Sequence, residues 1–141
     1  MKLASRKILN VGEQRRHNLQ FERQKAVALR EMYPSIGHLQ ILLVFGDGSA
    51  NPPSPQSHTY FPAARAFFRF ACPCAECDGD FDLGEAVASL LADPPQSQRR
   101  AASAVRGRLS CEGVRLRDRV GSRSCAMTLE YQLVVGPVGA A

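Results

Sequence analysis

The residues of this chain whose type and spacing could do chemistry are its five cysteines: Cys72, Cys74, Cys77, Cys111 and Cys125. A tight cluster followed by two spaced single thiols suits metal ligation. Zinc takes four thiolates tetrahedrally, and closed structural sites join ligands through C-x2–4-C spacings. Cys74-Ala-Glu-Cys77 has that short spacing, and Cys72 to Cys77 is a looser version of it. With one thiol too many for a tetrahedral site, the expected ligands are Cys77, Cys111 and Cys125, with Cys72 as the fourth and Cys74 as its alternative. The expected cofactor is one structural zinc ion. Three other readings stay open. The thiols could be small buried hydrophobes, Cys111 and Cys125 could form a cross-strand disulfide, or Cys77 could be a redox thiol at a helix start. Glu76, Asp78 and Asp80 beside Cys77 would raise its pKa and so oppose the last of these.

The elements that must position these thiols follow from periodicity. Asn10 with Glu13 forms a capping-box pattern and predicts a helix from about Val11 to Met32, stopped by Tyr33-Pro34. Its apolar residues crowd the C-terminal half, so that half should dock while the polar first half projects. His38 to Phe45 reads as a buried strand, and the Pro/Ser/Gly-rich segment 46–62 as a long loop. From Arg65 to Cys72 the residues alternate, placing Ala66, Phe68, Phe70 and Cys72 on one face. Asp82 as N-cap, Glu85, and the stripe Leu83, Ala86, Val87, Leu90, Leu91 predict a second helix ending at Asp93-Pro94-Pro95. Two strands close the chain, near 107–117 and 124–135. Folded as a hairpin about Asp118, they set Cys111 opposite Cys125, on the same face as Met127 and Leu129.

The fold class expected is therefore α+β, in the order α-β-β-α-β-β. It is a four-stranded antiparallel sheet packed by helices, with the cysteine cluster at a corner where sheet meets helix N-terminus. The organisation expected is a basic tail over 1–10, one domain over 11–135 and a C-terminal tail over 136–141. No internal repeat is visible.

At 141 residues and a formal charge of +5, the chain can bury a real core, and its charge is unevenly placed. Residues 1–31 and 99–123 are rich in arginine, whereas 76–93 are acidic. Arg15 and Arg16 on the first helix, with Arg115, Arg117, Arg119 and Arg123 on the final hairpin, are the candidate contacts for nucleic acid or an acidic protein. The opposed alternative is mutual neutralisation of the charged segments across the surface. No apolar run nears the roughly 20 residues of a membrane span, and the basic start lacks an apolar follow-on, so the expected compartment is the cytoplasm.

Other chemistry finds little support. Asp78-Gly-Asp-Phe-Asp82 lacks the glycine and glutamate positions of a calcium loop. His17, His38 and His58 are scattered without an assignable triad partner, and no phosphate-binding glycine loop is present. Over residues 70–130 the chain resembles the zinc ribbons, which pair a knuckle with a hairpin, although here a helix separates the ligand pairs. The string from Phe70 and Cys72 through Cys77-Asp-Gly-Asp-Phe-Asp-Leu83 to Cys111-x-Gly113 and Cys125 also resembles small bacterial proteins of uncharacterised function. The resemblance implies no activity. The functional expectation is a non-enzymatic, zinc-stabilised binding module, with a thiol redox protein or enzyme as the alternative.

Overall fold

The computed structural model describes residues 11–34, 36–74, 77–92, 103–117 and 121–137. Asn10, the Asp93-Pro94-Pro95 stop, Arg119, the tail over 1–10 and residues 138–141 lie outside the described residues, whereas Gly136 and Pro137 of the expected C-terminal tail belong to a strand paired with Ile36 and His38. Among the described residues the elements are, in chain order, α1 (Val11–Arg23), α2 (Leu29–Met32), β1 (Ile36–Gly46), β2 (Gln56–Tyr60), β3 (Arg69–Ala71), β4 (Asp80–Asp82), α3 (Gly84–Ala92), β5 (Ser103–Ser110), β6 (Val114–Arg117), β7 (Gly121–Ser124) and β8 (Thr128–Pro137). The class is α+β, with a four-stranded antiparallel sheet in the order β2-β1-β8-β5 and two short ribbons, β3-β4 and β6-β7. No helix among the described residues is long and apolar enough to cross a membrane.

The sheet differs from the expected one in its membership. The 46–62 segment is not all loop: Gln56–Tyr60 pairs with β1 along the register Leu39↔Tyr60 to Leu43↔Gln56. An edge strand needs only one partner and one apolar contact, and Tyr60 supplies that contact, which is why a polar Gln-Ser-His-Thr run can still be a strand. The alternating segment before Cys72 contributes only Arg69–Ala71, and it pairs with Asp80–Asp82 instead of joining the main sheet. Asp82 consequently ends a strand. Its carboxylate accepts a bond from the Gly84 N–H at 2.8 Å, one position earlier than a cap on N3 would require.

The first helix is split. Ala66 N–H donates to Val27 O at 2.8 Å and Leu29 N–H to Ala64 O at 2.7 Å, so pairing with 64–66 accompanies a break in the helix over residues 24–28. Leu19 and Leu29 are buried, whereas Phe21 and Met32 are about half exposed or more, at 59% and 50%. The polar first half does not project. Arg15 pairs with Asp80, which also takes Arg69 at 2.8 Å, and Arg69 reaches Glu22 at 2.8 Å. These ion pairs tie α1 to the β3-β4 ribbon.

One face of β1 (Leu39, Ile41, Leu43, Phe45) and Leu129 and Leu133 of β8 form the floor of the core. Phe68, Phe70, Phe81, Leu83, Val87 and Leu90 pack on it. The alternation read from the sequence sets this division, because period-two side chains must choose a face. Cys72, Cys77, Cys111, Cys125 and Met127 belong to the same buried cluster.

Candidate metal centre

Four of the cysteines converge. The sulfurs of Cys72, Cys77, Cys111 and Cys125 all lie within 4.8 Å of one another, and all four residues are buried. Cys72 Sγ is 3.7 Å from Cys125 Sγ, and Cys77 Sγ is 3.6 Å from Cys111 Sγ. The edge of a tetrahedron of thiolates around a zinc-sized ion is about 3.8 Å, given metal–sulfur bonds of about 2.3 Å. The donor set and spacing therefore fit a four-coordinate metal ion. Cys74 is half-buried and stands outside the group.

Two turns of the same local design build the centre. Cys77-Asp78-Gly79 and Cys111-Glu112-Gly113 each fold so that the glycine N–H donates to the cysteine sulfur two residues back, at 3.2 Å and 3.3 Å. Each turn then receives a second cysteine in the same way: Cys72 N–H donates to Gly79 O at 3.1 Å, and Cys125 N–H to Gly113 O at 3.2 Å. The centre is thus two copies of one unit, although no repeat is evident from a pass along the sequence. Its signal is only Cys-acid-Gly, three residues long and displaced by an intervening helix.

The glycines are required by contact and not by turn conformation, since among the described residues Gly48 is the glycine with positive φ. A Cβ on Gly79 would lie 2.8 Å from both Gly113 Cα and Cys111 Sγ. A Cβ on Gly113 would lie 2.5 Å from Gly79 Cα and 2.7 Å from Cys77 Sγ. Each glycine packs beneath the other turn's sulfur, so the two halves close on each other backbone to backbone.

The hairpin pairing centres one residue later than the Asp118 expected. Cys111 N–H donates to Met127 O at 2.9 Å, and Cys125 pairs with Gly113, so the two thiols sit diagonally and not directly opposite. Parity is unchanged by a shift of two in pairing, which is why both sulfurs still face the core. A second correction concerns the helix. β4 stands between Cys77 and α3, so Cys77 does not sit at the helix N-terminus. The electropositive groups next to the sulfurs are turn amides and not a helix dipole.

Burial pushes the thiols of Cys72, Cys77 and Cys111 up, Cys77 to about 12. Amide N–H groups of Cys74, Gly79 and Gly113 pull in the opposite direction, because they favour the charged sulfur. Thiols held in this way are neutral at physiological pH without a cation, and a bound cation displaces their protons. Such buried thiols are poor nucleophiles.

The remaining candidate contacts separate. Arg15 is engaged with Asp80, and Arg16 is exposed on α1. Arg115, Arg117 and Arg123 fall on the β6-β7 ribbon, where the register sets Arg115 opposite Arg123 and Arg117 opposite Gly121. Arg119 lies outside the described residues. The ribbon grows directly out of the second thiol turn, with Cys111-Glu-Gly before β6 and Cys125 after β7.

Fold and site together define an α+β protein with a buried four-thiol centre able to hold a metal ion. The chain matches no protein-family model, no curated protein and no solved structure.

Proposed function

We infer that the chain is a non-enzymatic module stapled by one structural zinc ion, and that it contacts nucleic acid through the arginine ribbon. The observation that carries this reading is that the thiol centre sits at the root of the ribbon. Cys111 and Cys125 flank β6 and β7, so an ion held there would fix the ribbon's base to the core.

Zinc is favoured by the closed, all-cysteine donor set. The nucleic-acid half of the reading rests on charge. Residues 114–124 hold four arginines and one aspartate, so they contribute 4 − 1 = +3 of the chain's formal +5. The backbone register sets Arg115 opposite Arg123. Arginine is also the side chain whose planar fork matches phosphate. The upward-shifted, buried thiols weigh against the redox alternative.

Native mass spectrometry before and after chelation tests the staple. The expected result is one zinc per chain, lost together with the folded charge-state envelope; a folded, metal-free chain overturns it, and iron in its place corrects the ion. Retention of RNA and DNA at low and high salt tests the partner. Binding that weakens steeply with salt is expected, and no binding at low salt removes nucleic acid from the reading.

A further inference from the structure

The main sheet has a second face, turned away from the core, and its side chains suit a ligand that offers both rings and negative charge. We propose that this face docks single-stranded RNA, with bases against the rings at one corner and phosphates against the arginines of β5; this rests on the nucleic-acid reading above and adds to it a surface and a strand state.

Alternation along a strand gives each side chain one face of the sheet. Leu39, Ile41, Leu43, Leu129 and Leu133 take the core side. Register then sets His38 and Gln40 of β1, Gln132 of β8, and Arg106 and Arg108 of β5 on the opposite side. Gln40 Nε2 donates to Ser57 Oγ of β2 at 3.4 Å across that face. The face is open to solvent. Val44 on it is 48% exposed, and Arg106 and Arg108 are exposed as well.

Its two rings stand together at one corner. A Cβ on Gly136 would lie 2.1 Å from His38 Cε1, so the imidazole rests directly over that glycine. The Phe61 ring is 6.5 Å from it between centroids, and Phe61 is 62% exposed. Single-strand readers stack bases on such rings beside a cationic surface, whereas a duplex keeps its bases inside. The cations lie along a diagonal from this corner. Gly136 pairs with His38, Gln132 with Arg106 and Glu130 with Arg108, so the arginines are four and six residues along β8 and two strands across. At ordinary strand spacings those offsets are roughly 17 Å and roughly 22 Å. Between the rings and the arginines lie Gln40 and Gln132, whose amides both donate and accept. The ribose 2′-hydroxyl does the same, which favours RNA over DNA. Glu130 offsets one arginine. With Asp47 it lines a cavity beside Arg108 at the far end of the face, so the path for phosphates stops there.

The test is fluorescence anisotropy with the full chain as purified. Its probes are one short mixed-sequence oligonucleotide prepared as single-stranded RNA, single-stranded DNA, duplex RNA and duplex DNA. Single-stranded RNA is expected to bind about threefold or more tighter than single-stranded DNA. It should bind about tenfold or more tighter than either duplex. Phe61→Ala should weaken RNA binding by about tenfold. Phe21→Ala, which removes a ring 59% exposed on α1, is the control and should leave binding unchanged. Replacing Arg106 and Arg108 together by Gln should flatten the slope of log affinity against log salt by about 1.4, at about 0.7 per phosphate contact on a single strand. Circular dichroism should be unchanged in all three variants. RNA binding unaffected by Phe61→Ala and by the arginine pair overturns the proposal and leaves the nucleic-acid reading on the ribbon alone. So does a duplex, or single-stranded DNA, bound as tightly as single-stranded RNA. If none of the four probes binds at low salt, the underlying reading fails as well; polyglutamate bound through the arginine pair would then assign the face to an acidic protein.

Discussion

The two halves of the thiol centre share one local geometry and differ in what holds them. The Cys77-Asp78-Gly79 turn leads into β4, whose Asp80 binds Arg15 and Arg69, and whose Phe81 packs in the core against Phe45 at 5.8 Å between ring centroids. The Cys111-Glu112-Gly113 turn instead continues the β5-β8 pairing of the main sheet, since Cys111 N–H donates to Met127 O at 2.9 Å. An ion bridging the halves would therefore cross-link the β3-β4 ribbon to the end of the main sheet, restricting segments far apart in sequence.

The largest expected effect comes from removing a ligand. Cys→Ser at any of Cys72, Cys77, Cys111 or Cys125 should abolish metal retention in native mass spectrometry. It should also lower the melting temperature by on the order of 15 °C, because a structural zinc site contributes directly to folding. Cys74→Ser should leave both unchanged. If Cys74→Ser loses the metal and Cys72→Ser keeps it, the four-sulfur grouping is wrong.

Next in size are the paired glycines. Gly113→Ala forces a Cβ to 2.5 Å from the facing backbone, and Gly79→Ala to 2.8 Å, so the first should destabilise more than the second. A loss of about 3 kcal/mol is the scale for overpacking with little room to relax. Gly46→Ala, with nothing within 4 Å, is the control and should change stability by less than about 0.5 kcal/mol. Chemical denaturation of the three variants would decide this, and equal stability for all three would remove the backbone-to-backbone closure from the account.

The smallest effect is a pH dependence that belongs to the half containing β3. His58 stacks on Phe70 of β3 at 4.9 Å between centroids, and burial, with Arg23 second, lowers its pKa below 6.5. The unfolded chain therefore takes up the proton first. Stability is fully present above about pH 6.5 and declines as pH falls through that value towards the folded-state pKa. A slight drop in melting temperature between pH 7 and pH 5.5 is expected, and His58→Gln should flatten it relative to the wild type. A drop of the same size in His58→Gln would assign the effect to another group.

The sequence carried the centre further than it carried the sheet. Cys72, Cys111 and Cys125 could be placed on buried faces from alternation alone, because Phe68, Phe70, Leu109, Met127 and Leu129 mark those faces at every second position. The same logic does not see β2 and β4. Gln56–Tyr60 has one buried residue, and Asp80–Asp82 has one, Phe81; no window that short shows a period. The long first helix also read as continuous, since nothing in Gln24-Lys-Ala-Val-Ala28 breaks a helix. Its break accompanies pairing with residues 64–66, which lie far away in sequence.

What the chain determined by itself is the α+β class, the apolar faces of its longer strands and the parity that turns the thiols inward. These depend on residue type and on spacing within one element. Tertiary structure alone decided that β3 pairs with β4 apart from the main sheet and that Gly79 meets Gly113. Those outcomes depend on contacts between segments far apart in the chain, such as Gly79 against Gly113. Local preference is nearly degenerate there, and the choice falls to whichever packing buries the sulfurs and satisfies the turn amides together.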